Sequence, residues 1–446
     1  MTALLLRGAE RVLTMDGARR ELSGADIRIE GGAIAALGPG LPAEGAEVLD
    51  VAGCLVTPGL VNTHHHLFQT LTRAVPAAQD AALFGWLAAL YPVWARMGPA
   101  HVRASARLGL AELALSGCST SSDHLYLFPN GARLDDTVEA AAEIGLRFHP
   151  TRGAMSIGES DGGLPPDALV EDESAILADC LRVIDAFHDP APGAMVRVGV
   201  APCSPFSVSR GLMRDAAALA RDKGVRLHTH LAENAEDVAF SRERFGCRPG
   251  QYAEECGWTG ADVWHAHCVM LEADEIALFA RTGTAVAHCP CSNARLGSGI
   301  APVQAMREAG VAVGLGVDGS ASNDAGDLLA EARQAMLLQR VARGAGAMPA
   351  RAALELATRG GAAALGRDDI GTLVPGMRAD LAVWDLSGLE SAGAWDPAAL
   401  VLAGPRRVRD LIVEGRRVVA GGRLVTADAV AIGREARRLS RALADG

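Results

Sequence analysis

The chain alternates short apolar runs with longer segments in which apolar positions recur at helical spacing. After residue 50, eight apolar runs can be counted: CLVTPGLVNTHHH, CSTSSDHLYL, RFHPTRGAM, VRVGVAPCS, VRLHTHLAE, VWHAHCVML, TAVAHCPCSN and VAVGLGVDGS. The segments between them, such as AHVRASARLGLAELALSG and RGLMRDAAALARDKG, often stop at glycine, which is typical of helix ends. Eight strand-plus-helix units over roughly 300 residues predict a (β/α)8 barrel of the TIM type.

The two ends of the chain have a different pattern. Residues 1–57 contain short strands separated by glycine turns, in ALLLRGAERVLTMD, ADIRIEGGAIAALG and EVLDVAG. The C-terminal part repeats that pattern in GTLVPGMRADLAVWDL and VRDLIVEGRRVVAGGRLV. We therefore predict an α/β protein in three parts. Residues 1–57 form one part of a small β-sandwich, residues 58–366 form the barrel, and residues 367–446 complete the sandwich and end in a helix.

Composition limits the kinds of function that are expected. A chain of 446 residues that is 49% hydrophobic can bury a large core. Its formal net charge of -11 does not favour nucleic acid or an anionic membrane, and no apolar run is long enough to span a bilayer. Nine cysteines at irregular spacing, without a signal-peptide pattern at the start, predict reduced thiols in the cytoplasm. A small, weakly charged substrate fits this composition best.

Three consecutive histidines end the first apolar run, in VNTHHHLFQT. If this segment is a strand, its side chains alternate, so His64 and His66 share one face and His65 points the other way. The outer pair can then bind one metal ion together. A histidine-rich surface tract is the alternative, but this tract is internal and follows an apolar strand. For His65 we expect a packed side chain.

Further polar residues lie where other predicted strands end, which is where a barrel of this type carries its chemistry. The fifth run ends in His228 and His230, the sixth in His265 and His267, and the eighth in Asp318. We expect both histidines of each pair to face inward, with the one nearer the open end, His230 or His267, at the site. Three imidazoles and a carboxylate form a suitable shell for zinc or ferrous iron, with room for a water molecule.

Two carboxylates are candidates for moving protons. Asp318 precedes the glycine-rich DGSASND, so a helix-capping aspartate is the alternative to an active carboxylate. Glu233 stands three residues after His230, where a carboxylate beside a metal-activated water can carry protons. A solvated surface glutamate is the competing interpretation, and we assign that role to the neighbouring Glu236 and Asp237.

Six motifs that span nearly the whole chain are PGLVNTHHHL, HTHLAEN, HCVML, HCPCSNARLGSGIAPV, GLGVDGSASND and GTLVPGMRADLAVWD. Together they resemble the amidohydrolase superfamily, in its branch of cytosine, guanine, adenosine-type and triazine deaminases. The resemblance implies one divalent metal, usually zinc, held by His64, His66, His230 and Asp318. On this basis we expect a hydrolytic deamination. Asp318 would accept a proton from the attacking water, Glu233 would protonate the ring, and His267 would stabilise the charge on the attacking oxygen.

Within that branch, HHHLFQTLTRA, LFGWLAALYPVWA and TRGAMSIGESDGGLPPD look most like the 8-oxoguanine deaminases. The implied reaction is attack at C2 of 8-oxoguanine, which gives urate and ammonia. Gln69 sits where guanine deaminases carry a glutamine that contacts the purine. Their PRF motif is SPF here, with Pro205 at the arginine position, which argues against plain guanine. We add Arg152 and Cys203 as candidate substrate contacts, with a structural salt bridge as the alternative for Arg152.

Several alternatives stay open at this point. An aminohydrolase for isocytosine or a hydroxylated triazine would act on the same kind of amino-substituted, carbonyl-flanked ring carbon. A metal-stabilised scaffold without activity is a further alternative, but a scaffold does not need the proton carrier Glu233. The position of the only lysine, Lys223, before a helix-ending glycine argues against two metals bridged by a carboxylated lysine. We assign no role to His124, and we expect a homo-oligomer because barrels of this family commonly associate.

Overall fold

The computed structural model describes residues 3–404 and 406–445, and within them the chain forms nineteen strands and sixteen α-helices. The strands are β1 Ala3–Ala9, β2 Arg11–Leu13, β3 Glu21–Leu22, β4 Ala25–Glu30, β5 Ala33–Gly38, β6 Ala46–Asp50, β7 Cys54–Pro58, β8 Leu60–Asn62, β9 Cys118–Leu125, β10 Arg147–Ala154, β11 Gly199–Pro202, β12 Arg226–Leu231, β13 Val263–His267, β14 Ala285–His288, β15 Val313–Leu315, β16 Leu381–Asp385, β17 Asp410–Val413, β18 Arg416–Ala420 and β19 Arg423–Leu424. The helices are α1 Leu83–Trp94, α2 Pro99–Leu115, α3 Leu134–Ile144, α4 Glu173–Phe187, α5 Arg210–Lys223, α6 Ala235–Phe245, α7 Pro249–Glu255, α8 Ala273–Thr282, α9 Pro290–Arg295, α10 Val303–Ala309, α11 Ser320–Asn323, α12 Leu328–Arg343, α13 Ala350–Glu355, α14 Gly361–Ala364, α15 Pro397–Leu400 and α16 Ala429–Asp445.

The predicted barrel is confirmed. Strands β8 to β15 are parallel neighbours in chain order, and β15 closes on β8 through the pair Leu315 and Asn62. Every residue of β9 and of β10 is buried, as expected for parallel strands that have helices on one face and the barrel interior on the other. The carboxyl ends of all eight strands therefore meet at one rim.

The first apolar run is divided between two sheets. Residues Cys54–Pro58 form β7 and pair with β16 in the sandwich, while only Leu60–Asn62 belong to the barrel. Gly59 lies between them, where a Cβ atom would collide with the side chain of Ser119 on β9. Only glycine lets the chain pass that strand so closely. The three histidines therefore follow the first barrel strand and do not lie within it.

The two ends of the chain form the predicted sandwich. One sheet has the order β5-β4-β1-β6, and the other has the order β19-β18-β17-β16-β7-β2-β3 and joins both ends of the chain. Leu4, Ile27, Val56, Leu381 and Ile412 belong to one buried apolar cluster that contains residues of both sheets. Because β7 leads directly into β8, the sandwich is attached to the barrel at the strand that precedes the histidines.

The C-terminal helix α16 packs on the barrel helix α2. Its buried face consists of Ile432, Ala436, Leu439 and Leu443. The hydroxyl of Ser440 donates a hydrogen bond to the carbonyl of Leu71, which follows the histidine tract. In the described part of the chain, no helix combines the length and the apolar character that crossing a bilayer requires.

Candidate active site

Three strand ends bring three histidines and an aspartate together at the rim. His64 and His66 follow β8, His230 lies on β12 and Asp318 follows β15. The Nε2 atoms of His64 and His66 each lie 3.3 Å from Oδ1 of Asp318. The Nε2 atoms of His66 and His230 are 3.0 Å apart. The structure therefore places the four residues that the sequence proposed as metal ligands around one point.

Backbone carbonyls determine the tautomers of His66 and His230. Nδ1 of His66 lies 2.7 Å from the carbonyl oxygen of His124, and Nδ1 of His230 lies 2.5 Å from that of Cys203. A carbonyl oxygen can only accept, so each Nδ1 carries the proton and each Nε2 presents a lone pair. Two lone pairs that face each other at 3.0 Å repel unless a cation lies beside them.

A second histidine determines the tautomer of His64. Nδ1 of His228 donates to the carbonyl of Trp264 at 2.8 Å, so its Nε2 accepts the proton of His64 Nδ1 at 2.7 Å. Nε2 of His64 is then also unprotonated, and it has no hydrogen-bond partner. Three imidazole lone pairs and a carboxylate, oriented by outer hydrogen bonds, are the donor set that zinc or ferrous iron takes. The residues therefore fit a divalent metal ion.

Asp318 is held as an ionised carboxylate. Its Oδ2 accepts hydrogen bonds from Ser292 Oγ at 2.6 Å and from Ser322 Oγ at 3.2 Å. Burial acts to raise its pKa, but the neighbouring imidazoles of His64, His267 and His66 outweigh burial and hold the pKa well below its usual range. The residue has a φ of 60°, a strained backbone conformation that is common at functional sites. Helix α11 has Gly319 as its N-cap, so Asp318 is not the capping residue.

His267 reaches the site through a backbone turn and not through strand alternation. Trp264 faces the barrel interior, where its ring stacks on that of His228 with the centroids 4.5 Å apart. Because neighbouring side chains of a strand alternate, His265 points outward, and its ring centroid lies 5.4 Å from that of Phe279 on α8. His267 would point outward as well, but its φ of 68° redirects it into the barrel. The prediction that both histidines share an inward face is therefore wrong for His265.

Glu233 and His267 form a buried pair beside the histidine cluster. Oε2 of Glu233 lies 3.5 Å from Nε2 of His267, which is 4.0 Å from Oδ2 of Asp318. Burial raises the pKa of Glu233 to about 7, although the charge of His267 opposes this. Burial lowers the pKa of His267, but the charges of Glu233 and Asp318 outweigh burial and raise it. A carboxyl group that titrates near neutrality can both give and take a proton.

Asp237 is a residue whose part in the site was missed. The prediction that it is solvated is wrong, since it is only 8% exposed and its Oδ2 accepts a hydrogen bond from the backbone N–H of Glu233 at 2.8 Å. Asn234 caps α6, and Asp237 stands three residues later, at the capping-box position, but its carboxylate bonds to the N–H of Glu233, one residue before the cap. That spacing in the sequence could have revealed the contact. Glu236 is exposed.

A small cavity of about 40 Å³ opens onto this centre. Gln69 and Cys203, two of the predicted substrate contacts, line it. The carboxamide of Gln69 is buried, and its Oε1 atom has no hydrogen-bond partner among the described residues. Gly319 makes room for it, because a Cβ atom there would collide with the carboxamide. The apolar part of the lining is Leu83, Trp86, Leu87, Tyr91, Phe206 and Leu296.

Arg152 does not line this cavity. Its guanidinium contacts Glu171 Oε1 at 2.7 Å and Asp179 Oδ2 at 2.9 Å, and it lies 3.9 Å from the ring centroid of Phe128. All its nitrogens are bonded within the protein, so none is free for a substrate. The prediction of a substrate contact is therefore wrong, and the alternative of a structural salt bridge describes Arg152.

Two further histidines lie next to the cluster. His65 points away from it toward α2, where its ring comes close to Gly109. His124 stacks on His230, with ring centroids 4.9 Å apart and planes inclined by 20°. Because its Nε2 lies 2.8 Å from the carbonyl of Ala201, its ring is fixed and limits the rotation of His230.

Comparison with known proteins agrees with this geometry. The model described as "Amidohydrolase family" matches residues 55–418. The chain belongs to the amidohydrolase family. It is 46% identical over 404 residues to 8-oxoguanine deaminase from Pseudomonas aeruginosa, with 90% of each chain covered. It is 41% identical to isoxanthopterin deaminase from an unknown prokaryotic organism, with 98% of this chain and 97% of that protein covered.

Solved structures extend the comparison. Atrazine chlorohydrolase from Arthrobacter aurescens TC1, complexed with zinc, superposes with a TM-score of 0.93 at 36% identity. The match covers 98% of this chain and 100% of that one. Since both the family and its relatives are hydrolytic, the chain is a hydrolytic enzyme of the amidohydrolase and deaminase type.

The raised pKa of Glu233 predicts a pH-dependent stability of the metal-free protein. The carboxyl group has a pKa of about 7 in the fold against a reference value of 4.5, so burial disfavours its ionised form. Its contribution to stability is present below about pH 4.5 and is lost as the pH rises to about 7. Glu233→Gln should therefore raise the free energy of unfolding at pH 8 by ~1–3 kcal/mol and change it little at pH 5. Denaturant titration of metal-stripped protein measures this, and an equal effect at both pH values would contradict it.

Proposed function

We propose that this enzyme deaminates an amino-substituted oxopurine by hydrolysis, with 8-oxoguanine as the preferred substrate and urate and ammonia as products. The observation that carries the proposal is that one cavity contains both Glu233, whose carboxyl group titrates near neutrality, and Gln69, whose Oε1 has no hydrogen-bond partner among the described residues while its Nε2 donates to the Tyr126 hydroxyl at 3.5 Å. The 46% identity to an 8-oxoguanine deaminase supports the choice of purine.

We propose that His64, His66, His230 and Asp318 hold one divalent ion, with zinc as the first candidate. When bound, such an ion is a Lewis acid that lowers the pKa of a water molecule toward neutrality. His64 and His230 belong to both groups of side chains whose ligand atoms lie within 4.8 Å of one another, while His66 and Asp318 each belong to one of them. A zinc-complexed relative of the same fold gives further support. A single ion is proposed because Lys223, the only lysine of the chain, ends α5 and pairs with Asp185 at 3.5 Å, so no lysine lies on a barrel strand to bridge two metals.

The carboxylates divide the proton transfers between them. Asp318 is ionised and accepts a proton from the attacking water, while Ser292 and Ser322 hold its Oδ2 in place. Glu233 gives its proton to ring nitrogen N3, which makes the adjacent C2 a better electrophile. The water oxygen bonds to C2, Asp318 passes the proton that it took from water to the amino group, and the C2–N bond breaks to release ammonia. The proton left on the C2 hydroxyl returns to Glu233, which leaves a carbonyl at C2.

His267 stabilises charge in this scheme. Its Nδ1 lies 2.9 Å from Oδ1 of Asn293, which holds the ring in place. Its raised pKa favours the cationic form, with Nε2 directed at the space between Glu233 and Asp318. A fixed cation there stabilises negative charge that develops on the attacking oxygen at C2.

The cavity walls suit a flat, polar ring. Trp86, Tyr91 and Phe206 supply aromatic surface for a planar heterocycle. The carboxamide of Gln69 has both a donor and an acceptor, which matches the adjacent N–H and C=O groups of an oxopurine edge. Burial raises the pKa of the Cys203 thiol to about 12, so Cys203 contributes packing and is not a nucleophile.

The substrate proposal predicts a preference that ammonia release can measure. We expect 8-oxoguanine to exceed guanine in kcat/KM by at least about tenfold, a difference that one hydrogen bond to the C8 carbonyl can supply. Gln69→Ala should weaken both purines, whereas Gln251→Ala, at an exposed position on α7, should change neither.

The same assay separates the alternatives. The panel includes isocytosine, a hydroxylated triazine and isoxanthopterin alongside the two purines. Equal turnover of guanine and 8-oxoguanine, or activity confined to the triazine or the pterin, would refute 8-oxoguanine as the preferred substrate. Neither result would contradict the proposed metal ligands or proton carriers. No ammonia release from any compound by metal-loaded protein would refute the deaminase proposal itself.

A further inference from the structure

A second cavity lies at the opposite end of the barrel, around the starts of β10, β11 and β12. It measures about 440 Å³. The polar part of its lining is His149, His188, Arg197, Arg221, Arg226 and Asp262. The active-site cavity is at the carboxyl ends of the same strands, so the two cavities are separated by the barrel interior.

Two arginines of this cavity have no carboxylate partner. Among the described residues, no Asp or Glu oxygen lies within 4.0 Å of the guanidinium of Arg197 or Arg226, and the hydrogen bonds of both groups go to carbonyl oxygens. The Cζ atom of Arg226 also lies 5.7 Å from the ring centroid of Trp264. The Nε atoms of both arginines are buried and have no hydrogen-bond partner in the described ranges of the chain. The nearby Asp262 is already paired with Arg221 at 2.9 Å. In the described part of the chain, neither guanidinium is therefore ion-paired, and the charges of Asp262 on Arg226 and of Asp369 on Arg197 act from more than 4.0 Å.

A buried imidazole adds a third unsatisfied group. His149 is 3% exposed, and neither of its ring nitrogens has a hydrogen-bond partner among the residues that the structure describes. Burial and the charges of Arg226, Arg367 and Arg197 hold its pKa well below the usual range, so the ring is neutral and carries one N–H donor. Buried polar atoms without partners are rare in native proteins and often indicate a missing ligand or water.

We propose that this cavity binds an oxyanion, specifically a phosphate group, either free or at the end of a small phosphoester. The donors come from three neighbouring chain segments, since Arg226 pairs with Gly199 across β11 and β12, Arg197 precedes β11 and His149 lies on β10. Donors from several sides suit a tetrahedral anion, and planar guanidinium groups match its oxygen spacing. The cavity volume leaves room for more than the phosphate alone.

Isothermal titration calorimetry on metal-loaded protein tests the proposal, with inorganic phosphate as the probe and sodium chloride holding the ionic strength constant. We expect saturable binding that Arg197→Gln weakens by about tenfold or more, because glutamine keeps a donor for the carbonyls and removes the charge. Arg226→Gln should have the same effect. Arg214→Gln, at an exposed position of α5 outside the cavity, is the matched control and should leave the Kd unchanged.

Guanosine monophosphate and guanosine distinguish the two sources of phosphate. Tighter binding of the monophosphate than of inorganic phosphate, lost in Arg197→Gln, supports a phosphoester ligand, and equal binding supports free phosphate. Circular dichroism and thermal melting confirm that each variant is folded. Absence of saturable binding, or binding that neither Arg197→Gln nor Arg226→Gln alters in folded protein, would overturn the proposal. Phosphate held only by the metal centre would give that second result.

Discussion

Glu233→Gln is expected to lower kcat by ~10² to 10⁴ while the protein keeps its metal, since that is the usual cost of removing a general acid or base. Glutamine preserves the shape of the side chain but cannot carry a proton. Glu233 is only 4% exposed, its Oε1 atom has no hydrogen-bond partner, and its Oε2 faces His267 at 3.5 Å. The loss should therefore come from proton transfer and not from a disturbed fold. Ammonia release and metal content are measured on the same sample.

Glu236→Gln is the matched control for this experiment. Glu236 is exposed on the first turn of α6, so the same change of charge and shape there should leave kcat unchanged. Near-native turnover by a metal-replete Glu233→Gln variant would show that another group carries the proton.

His230→Ala is expected to reduce bound metal to well below one ion per chain, and activity with it. The imidazole supplies one of three lone pairs that meet beside Asp318, and its outer nitrogen is fixed at 2.5 Å from the carbonyl of Cys203. Removal of one of the four proposed ligands leaves an incomplete shell that water must fill, which lowers the affinity for metal strongly. Metal analysis after exhaustive dialysis against a weak chelator measures the loss.

His65→Ala provides the comparison, because His65 stands between two proposed ligands in the sequence and points to the other side. It should retain metal, with circular dichroism to confirm that both variants are folded. Equal metal loss from both folded proteins would mean that the ion is not held by the face that carries His64 and His66.

Periodicity in the sequence determined the large features of this protein. Eight apolar runs separated by helical segments predicted the barrel, and glycine-punctuated strands at both ends predicted the sandwich. Such patterns can be recognised without a structure because alternation and helical spacing depend only on which face of an element is buried. The same alternation separated His65 from His64 and His66, and strand-end position brought His230 and Asp318 into consideration.

Other features depended on contacts that the sequence pattern does not contain. His267 enters the barrel only because its backbone adopts a φ of 68°, against the alternation of β13. Arg152 lies near a strand end and could donate hydrogen bonds to a substrate. Its guanidinium instead forms ion pairs with Glu171 and Asp179 on the outside of the barrel. In the sequence, Asp237 resembles a surface aspartate. In the structure, the start of α6 places its carboxylate where it accepts a hydrogen bond from the backbone N–H of Glu233.

The protonation pattern of the centre is the clearest case of this kind. The sequence determined which histidines could bind a metal, but not which nitrogen of each would be free. That choice was made by tertiary contacts: carbonyls of His124 and Cys203 for two rings, and His228 for the third. The side of a strand on which a side chain lies depends on the local sequence alone. The hydrogen-bond partner of the histidine nitrogen that points away from the metal site comes from residues distant in the chain. Only the folded barrel therefore turns three histidines into three converging lone pairs.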